Sequence, residues 1–148
     1  MKKFHFALDS VLNYRRQVLD GLQGEYAQAL DQVRRQEARK AAAEKRYQDL
    51  NRRFHEEAAE GITIADAMGY ESGLRVLEKK IAQEAALLQE YRKAAEAKQA
   101  QVIKAHIDTT ALDRLREKQL QTYRSELQKN DERFIDELVS AARCGQSS

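Results

Sequence analysis

Three histidines, one cysteine and several paired carboxylates are the groups through which this chain would run a reaction, and their placement does not let them converge. His5, His55 and His106 stand roughly fifty residues apart. The run His55-Glu56-Glu57-Ala58-Ala59 opens like a zinc-protease helix but lacks the second histidine that such a helix needs to hold the metal. Cys144 is the only cysteine, so it has no partner for an internal disulfide or a thiolate metal site. Asp136 and Glu137 are adjacent, and neighbours on a helix point to different sides. The six glycines are scattered, with no phosphate loop set between a strand and a helix. No Ser-His-Asp grouping sits on a strained turn. The expectation is a non-enzymatic protein with no catalytic, cofactor-binding or metal-binding residues.

Charge is the next candidate for function. The net charge is +2. Residues 34–53 nevertheless hold eight basic groups (Arg34, Arg35, Arg39, Lys40, Lys45, Arg46, Arg52, Arg53) against Glu37, Glu44 and Asp49. Such an excess could attract nucleic acid or an acidic protein surface. The reading favoured is a solvated helix face, partly neutralised by Glu71, Glu78, Glu84 and Glu90 on a facing helix. Tyr47 and Phe54 fall on the apolar stripe instead of among the basic residues, which argues against stacking on single strands. No nucleic-acid partner is expected.

A surface of this kind needs long helices to carry it, and the composition supplies them. Proline is absent, and Ala, Glu, Lys, Leu and Arg make up 78 of the 148 residues, a balance typical of coiled coils and long helices. Leu, Ile, Val and Phe total only 31, too few for a large globular core. Doubly wound sheets, β-sandwiches and barrels need Gly/Pro turns and strands rich in β-branched residues. Lys2-Lys3 is not followed by an apolar stretch, so no signal peptide is expected. No run approaches the ~20 apolar residues of a membrane span. A soluble cytoplasmic protein is expected.

Apolar residues recur in strict 4-3 alternation: Leu8, Leu12, Arg15, Leu19, Leu22, Tyr26, Ala29, Val33, Gln36, Lys40, Ala43, Tyr47, Leu50, Phe54. This is a heptad stripe with interruptions at Arg15, Gln36 and Lys40. Gly61 is placed to end the helix in the left-handed conformation, and Thr63 with Asp66 resembles a capping box. A second stripe runs Tyr70, Leu74, Leu77, Ile81, Glu84, Leu88, Tyr91, Ala95, Lys98, Val102, Ala105, Thr109, Leu112, Arg116. Folded back at Gly61, the stripes mirror each other with residue numbers summing to 124, which sets Lys40 opposite Glu84 and fixes register at low net cost. The expected fold is all-α, a two-helix antiparallel coiled-coil hairpin whose second helix is longer than the first. It forms a single coiled-coil domain over 1–148: helix one about 5–58, turn about 59–64, helix two about 65–143, and a frayed tail 144–148.

At 1.5 Å per residue the helices would be about 75 and 120 Å long. Register leaves the end of the second helix without a partner, yet Leu120, Tyr123, Leu127, Phe134 and Leu138 continue an apolar stripe after a stutter at Leu112, Arg116 and Leu120. An exposed stripe of this kind marks a binding surface. The competing reading is self-pairing in a structural coiled coil.

The two ends carry a resemblance. Phe4-x-Phe6-x-Leu8-x-x-Val11-Leu12-x-x-Arg15, and the closing Glu132-Arg133-Phe134-Ile135-Asp136-Glu137-Leu138, resemble the FliJ family of bacterial flagellar export proteins. The resemblance implies a stalk similar to the two-helix coiled coil of the rotary ATP synthase γ subunit. It implies binding to the hexameric FliI-type export ATPase, contact with the FlhA-type export gate and handling of export chaperones. It implies an ATPase-facing end formed by Phe4, Phe6, Leu8, Leu120, Tyr123, Leu127, Phe134, Ile135 and Leu138. It implies a gate contact in the opening turns of the second helix, where Leu77, Lys80 and Glu84 match. It also implies a cytoplasmic location, peripheral at the inner membrane through the export apparatus. The equivalent stalk of a virulence injectisome has the same architecture; the Phe4-x-Phe6-x-Leu8 start favours the flagellar member.

Overall fold

The computed structural model describes residues 2–146. Two helices form, α1 (Asp9–Glu60) and α2 (Ile64–Gln146), and they pack against each other as an antiparallel hairpin with the second helix the longer. Packing divides the chain into two compact units, Met1–Asp20 with Ile103–Ser148, and Gly21–Val102.

In the Gly21–Val102 unit, α1 ends where Gly61 turns to φ +101°, a conformation that a Cβ would strain. The Gly61 N–H donates to the carbonyls of Glu57 at 3.0 Å and Ala58 at 3.3 Å, satisfying carbonyls that a helix end otherwise leaves open. Thr63 then caps α2, its hydroxyl accepting from the Asp66 N–H at 3.1 Å. Phe54 meets Tyr70 edge-on, with ring centroids 5.3 Å apart. The Tyr70 hydroxyl donates to Glu57 at 2.5 Å, and that bond, followed by desolvation, raises the phenol above its ordinary pKa. Val33, Leu88 and Ala95 form the core of the unit, flanked by Tyr26, Ala29 and Tyr91.

Cross-helix partners hold the mirrored register. Glu25 meets Lys98 at 2.8 Å and Glu37 meets Arg92 at 3.3 Å. The polar layer differs from the expected one. Gln36, at 1% exposure, replaces Lys40 as the partner of Glu84, donating to its carboxylate and to its backbone carbonyl at 3.0 Å. Lys80 of the same helix supplies the cation at 3.0 Å, and Lys40 turns out to Glu44 at 3.7 Å. The reason is desolvation. A neutral amide can be buried once hydrogen-bonded, whereas an ammonium on a long stem reaches water more cheaply than it enters a seam.

Those bonds, Lys80 first and Gln36 second, hold the Glu84 carboxyl below the usual carboxylate range. The folded pKa therefore lies below the unfolded one. The stabilisation is present above the unfolded value and is lost as pH falls through the folded one. Urea unfolding followed from neutral pH into the acid range should show wild type losing stability over that window. Glu84→Gln should have a shallower dependence there, and identical slopes would mean that Glu84 is not engaged in solution.

Gly69 and Gly73, in the opening turns of α2, differ in their surroundings. Nothing lies within 4 Å of a Cβ built at Gly69, but one at Gly73 would meet Leu50 Cδ2 at 3.0 Å. Gly69→Ala should therefore gain up to about 1 kcal/mol from helix propensity. Gly73→Ala should gain less, because Leu50 must shift. Thermal melting of the two variants checks the order.

In the unit made of Met1–Asp20 and Ile103–Ser148, α1 starts at Asp9, four residues later than expected. Lys2–Phe6 lies outside any helix; Phe4 and Phe6 are covered while His5 between them is exposed, an alternation of two that a helical period does not give. The Asp9 N–H donates to the Phe6 carbonyl at 3.1 Å, closing a turn into the helix. Leu12 is fully buried, with Ala105 and Thr109 buried across from it. Arg16 pairs with Asp113 at 2.7 Å and Arg15 with Asp108 at 3.7 Å. At its far end α2 stays helical to Gln146, so residues 144–146 are helical where a frayed tail was expected; 147 and 148 lie outside the described residues.

Candidate functional site

The surface that the sequence assigns to a partner lies in the unit holding both ends of the chain. Its first part is not open. The non-helical segment Lys2–Phe6 lies against α2: Phe6 is buried at 3% exposure, and the Phe4 ring packs on Tyr123 with centroids 5.7 Å apart. The Tyr123 hydroxyl donates to the Lys2 carbonyl at 2.5 Å. Arg116, the polar residue at the stutter, lays its guanidinium 5.6 Å from the Phe4 ring centroid, a cation–π geometry. It also stands 4.0 Å from the Asp9 carboxylate. Leu120, Tyr123 and Leu127 are half-buried, Tyr123 under Phe4 and Lys2. The expectation of a stripe without an intramolecular partner from Leu120 onward is corrected here, because the chain's own first residues cover Tyr123.

The second part is open. Phe134 is 62% exposed, Ile135 57%, Leu138 55% and Val139 46%. Spacings of one, four and five residues place these four side chains on one arc of about 140° at 100° per residue. Charged Glu132, Arg133, Asp136 and Glu137 lie outside it or at its edge. Leu8, in the turn just before α1, is also exposed. Of the nine residues expected to face the ATPase, the structure therefore brings Phe4 to Tyr123, buries Phe6, and leaves Leu8, Phe134, Ile135 and Leu138 at the surface. Sequence reasoning missed Val139, whose spacing of four from Ile135 was available as a signal, and Arg116, whose polar character at the stutter was another.

In the Gly21–Val102 unit the three expected gate residues share one groove, lined also by Arg39, Ala43 and Arg46. They are not equally available. Lys80 is exposed, Leu77 is half-buried in the seam and Glu84 is buried. No group of His, Cys, Asp and Glu that could hold a metal ion occurs among the described residues. His55 donates from Nδ1 to the Asn51 carbonyl of its own helix at 2.7 Å. No helix among the described residues is long and apolar enough to cross a membrane.

Comparison with known proteins adds one finding. The profile of a family described as Flagellar FliJ protein matches residues 4–146, nearly the whole chain. Neither the curated proteins nor the solved structures give a match.

Proposed function

We propose that this chain, which belongs to the FliJ family of flagellar proteins and is thereby a component of the flagellar export apparatus, serves as the stalk of a FliI-type export ATPase hexamer. The observation that carries the proposal is the open apolar arc Phe134, Ile135, Leu138 and Val139 on an otherwise charged helix end. Four large apolar side chains left 46–62% exposed favour burial against another protein. Leu8 adds to the same contact, with Phe4, Tyr123 and Leu127 supporting it from the covered part of the stripe.

The role is mechanical. A paired-helix scaffold presents the arc to the ring, and the groove holding Leu77, Lys80 and Glu84 meets an FlhA-type export gate, linking ring and gate. Export chaperones are handled by the same subunit. The chain performs no reaction of its own and works in the cytoplasm, held peripherally at the inner membrane by its partners.

Titrating the full-length chain with purified export ATPase in its hexameric state tests the proposal. Saturable binding, with the chain sedimenting as a monomer in the absence of ATPase, is the expected outcome. A chain that is dimeric alone and does not bind would make the arc a self-pairing surface and overturn the stalk.

A further inference from the structure

The sequence reading neutralises the basic run of α1 with acids of α2, but the packing of the Gly21–Val102 unit brings only Glu84 to the groove of Arg39 and Arg46 and sets Glu71 and Glu78 in another. Arg39, Arg46 and Arg53 recur every seven residues, each immediately before a seam residue (Lys40, Tyr47, Phe54). Lys80 stands in the same relation to Ile81. In an antiparallel pair, positions of this type on both helices share one flank, and Arg39, Arg46 and Lys80 do line one groove there. Glu71 and Glu78 instead follow their seam residues, and they line a different groove against Tyr47. Glu78 accepts from the Tyr47 hydroxyl at 3.4 Å. Glu84 is occupied by Lys80 and Gln36.

Three other cations of the run have carboxylates on their own helix: Arg35 with Asp31 at 3.0 Å, Lys40 with Glu44 at 3.7 Å and Arg52 with Asp49 at 3.2 Å; Arg34 and Lys45 have no such partner among the described residues but do not line the groove. Among the described residues no carboxylate lies within ion-pair distance of Arg39, Arg46 or Arg53. One flank thus carries guanidinium groups about 10.5 Å apart along the axis, seven residues at 1.5 Å each. Ala43 and Leu77 form an apolar floor between the first two and Lys80.

We infer that this flank is a docking groove for an acidic helical segment of a protein partner, with carboxylates one heptad apart. Such a helix repeats its carboxylates at the same ~10.5 Å and offers aliphatic side chains to the Ala43–Leu77 floor. Nucleic acid fits less well. Phosphates follow one another at about 3.4 Å along a duplex strand, so most would meet no cation. An anionic lipid surface fits less well again, because Glu56, Glu57, Glu60, Asp66 and Glu71 crowd the turn end of the same unit. The groove shares Leu77, Lys80 and Glu84 with the gate contact proposed above. The inference rests on the α1 arginines and their spacing, and it does not depend on that contact.

The test uses the full chain and two labelled synthetic helices about three heptads long. One carries glutamates at every seventh position, and the other has the same composition scrambled. Fluorescence anisotropy should show the heptad peptide binding more tightly than the scrambled one, with affinity falling as salt rises. Arg39→Glu combined with Arg46→Glu should weaken that binding at least tenfold. Arg34→Glu with Lys45→Glu, the same charge change outside the groove, should not. Circular dichroism confirms that both double variants remain helical. Equal binding of the two peptides, or equal loss in the two double variants, would reduce the effect to net charge and overturn the inference. Tighter binding of a single-stranded oligonucleotide of equal charge would overturn it in favour of nucleic acid. A dimer abolished by Arg46→Glu and restored by adding Glu78→Arg would make a second copy the occupant. Affinity for the FlhA-type gate is measured separately, so that either reading can fail without the other.

Discussion

Truncating Leu88 to alanine should lower stability by about 2–5 kcal/mol, the range for deleting a buried leucine where the surroundings cannot collapse. Leu88 is almost fully buried and packs with Val33 and Ala95 under Tyr26, Ala29 and Tyr91. The tyrosines are held by their own helices and cannot fill the space left. Leu77 occupies the same stripe but is only half-buried, so Leu77→Ala should cost less, about 2 kcal/mol at most if part of its surface is already wet. Urea unfolding of the two variants side by side checks the order. A loss at Leu88 no greater than at Leu77 would remove Leu88 from the core and put the register in doubt.

The register was legible because heptad spacing is a local property that survives without tertiary information. The stripes contain every buried residue of the helical pair, including Leu12, Val33, Gln36, Ala43, Glu84, Leu88, Ala95, Ala105 and Thr109. What spacing cannot fix is which polar side chain of a layer turns inward. Gln36 and Lys40 both lie on the stripe, and the choice between them depends on reach and desolvation. The helix is expected from about residue 5, too early, because a stripe sought at helical period absorbs Leu8 and leaves Phe4 and Phe6 unexplained. Their alternation, and the polar residue at the stutter, Arg116, were the available signs that the start packs back on α2. The separation of arginines and glutamates onto two flanks was also in the sequence. It becomes visible only when residues just before and just after each seam position are followed as separate series.

Replacing Phe134 by alanine should weaken binding to the export ATPase at least about tenfold and leave the melting of the free chain unchanged. Burying one such side chain fully is worth roughly 1.5–3 kcal/mol, and each 1.4 kcal/mol is tenfold in affinity. Phe134 is already largely in water in the monomer, so its loss removes little from the folded state. Lost melting stability with intact binding would place Phe134 in an intramolecular core. Intact stability with intact binding would move the contact to the exposed Leu8 and the covered Phe4.

Photo-crosslinking at the arc tests the stalk most directly. A photoreactive amino acid replacing Ile135 should cross-link to the export ATPase in an assembled export complex, and the same group replacing Gln83, on the exposed outer face of α2 in the other unit, should not. Cross-links from position 83 but not from position 135 would contradict the assignment of the ATPase contact to this end of α2.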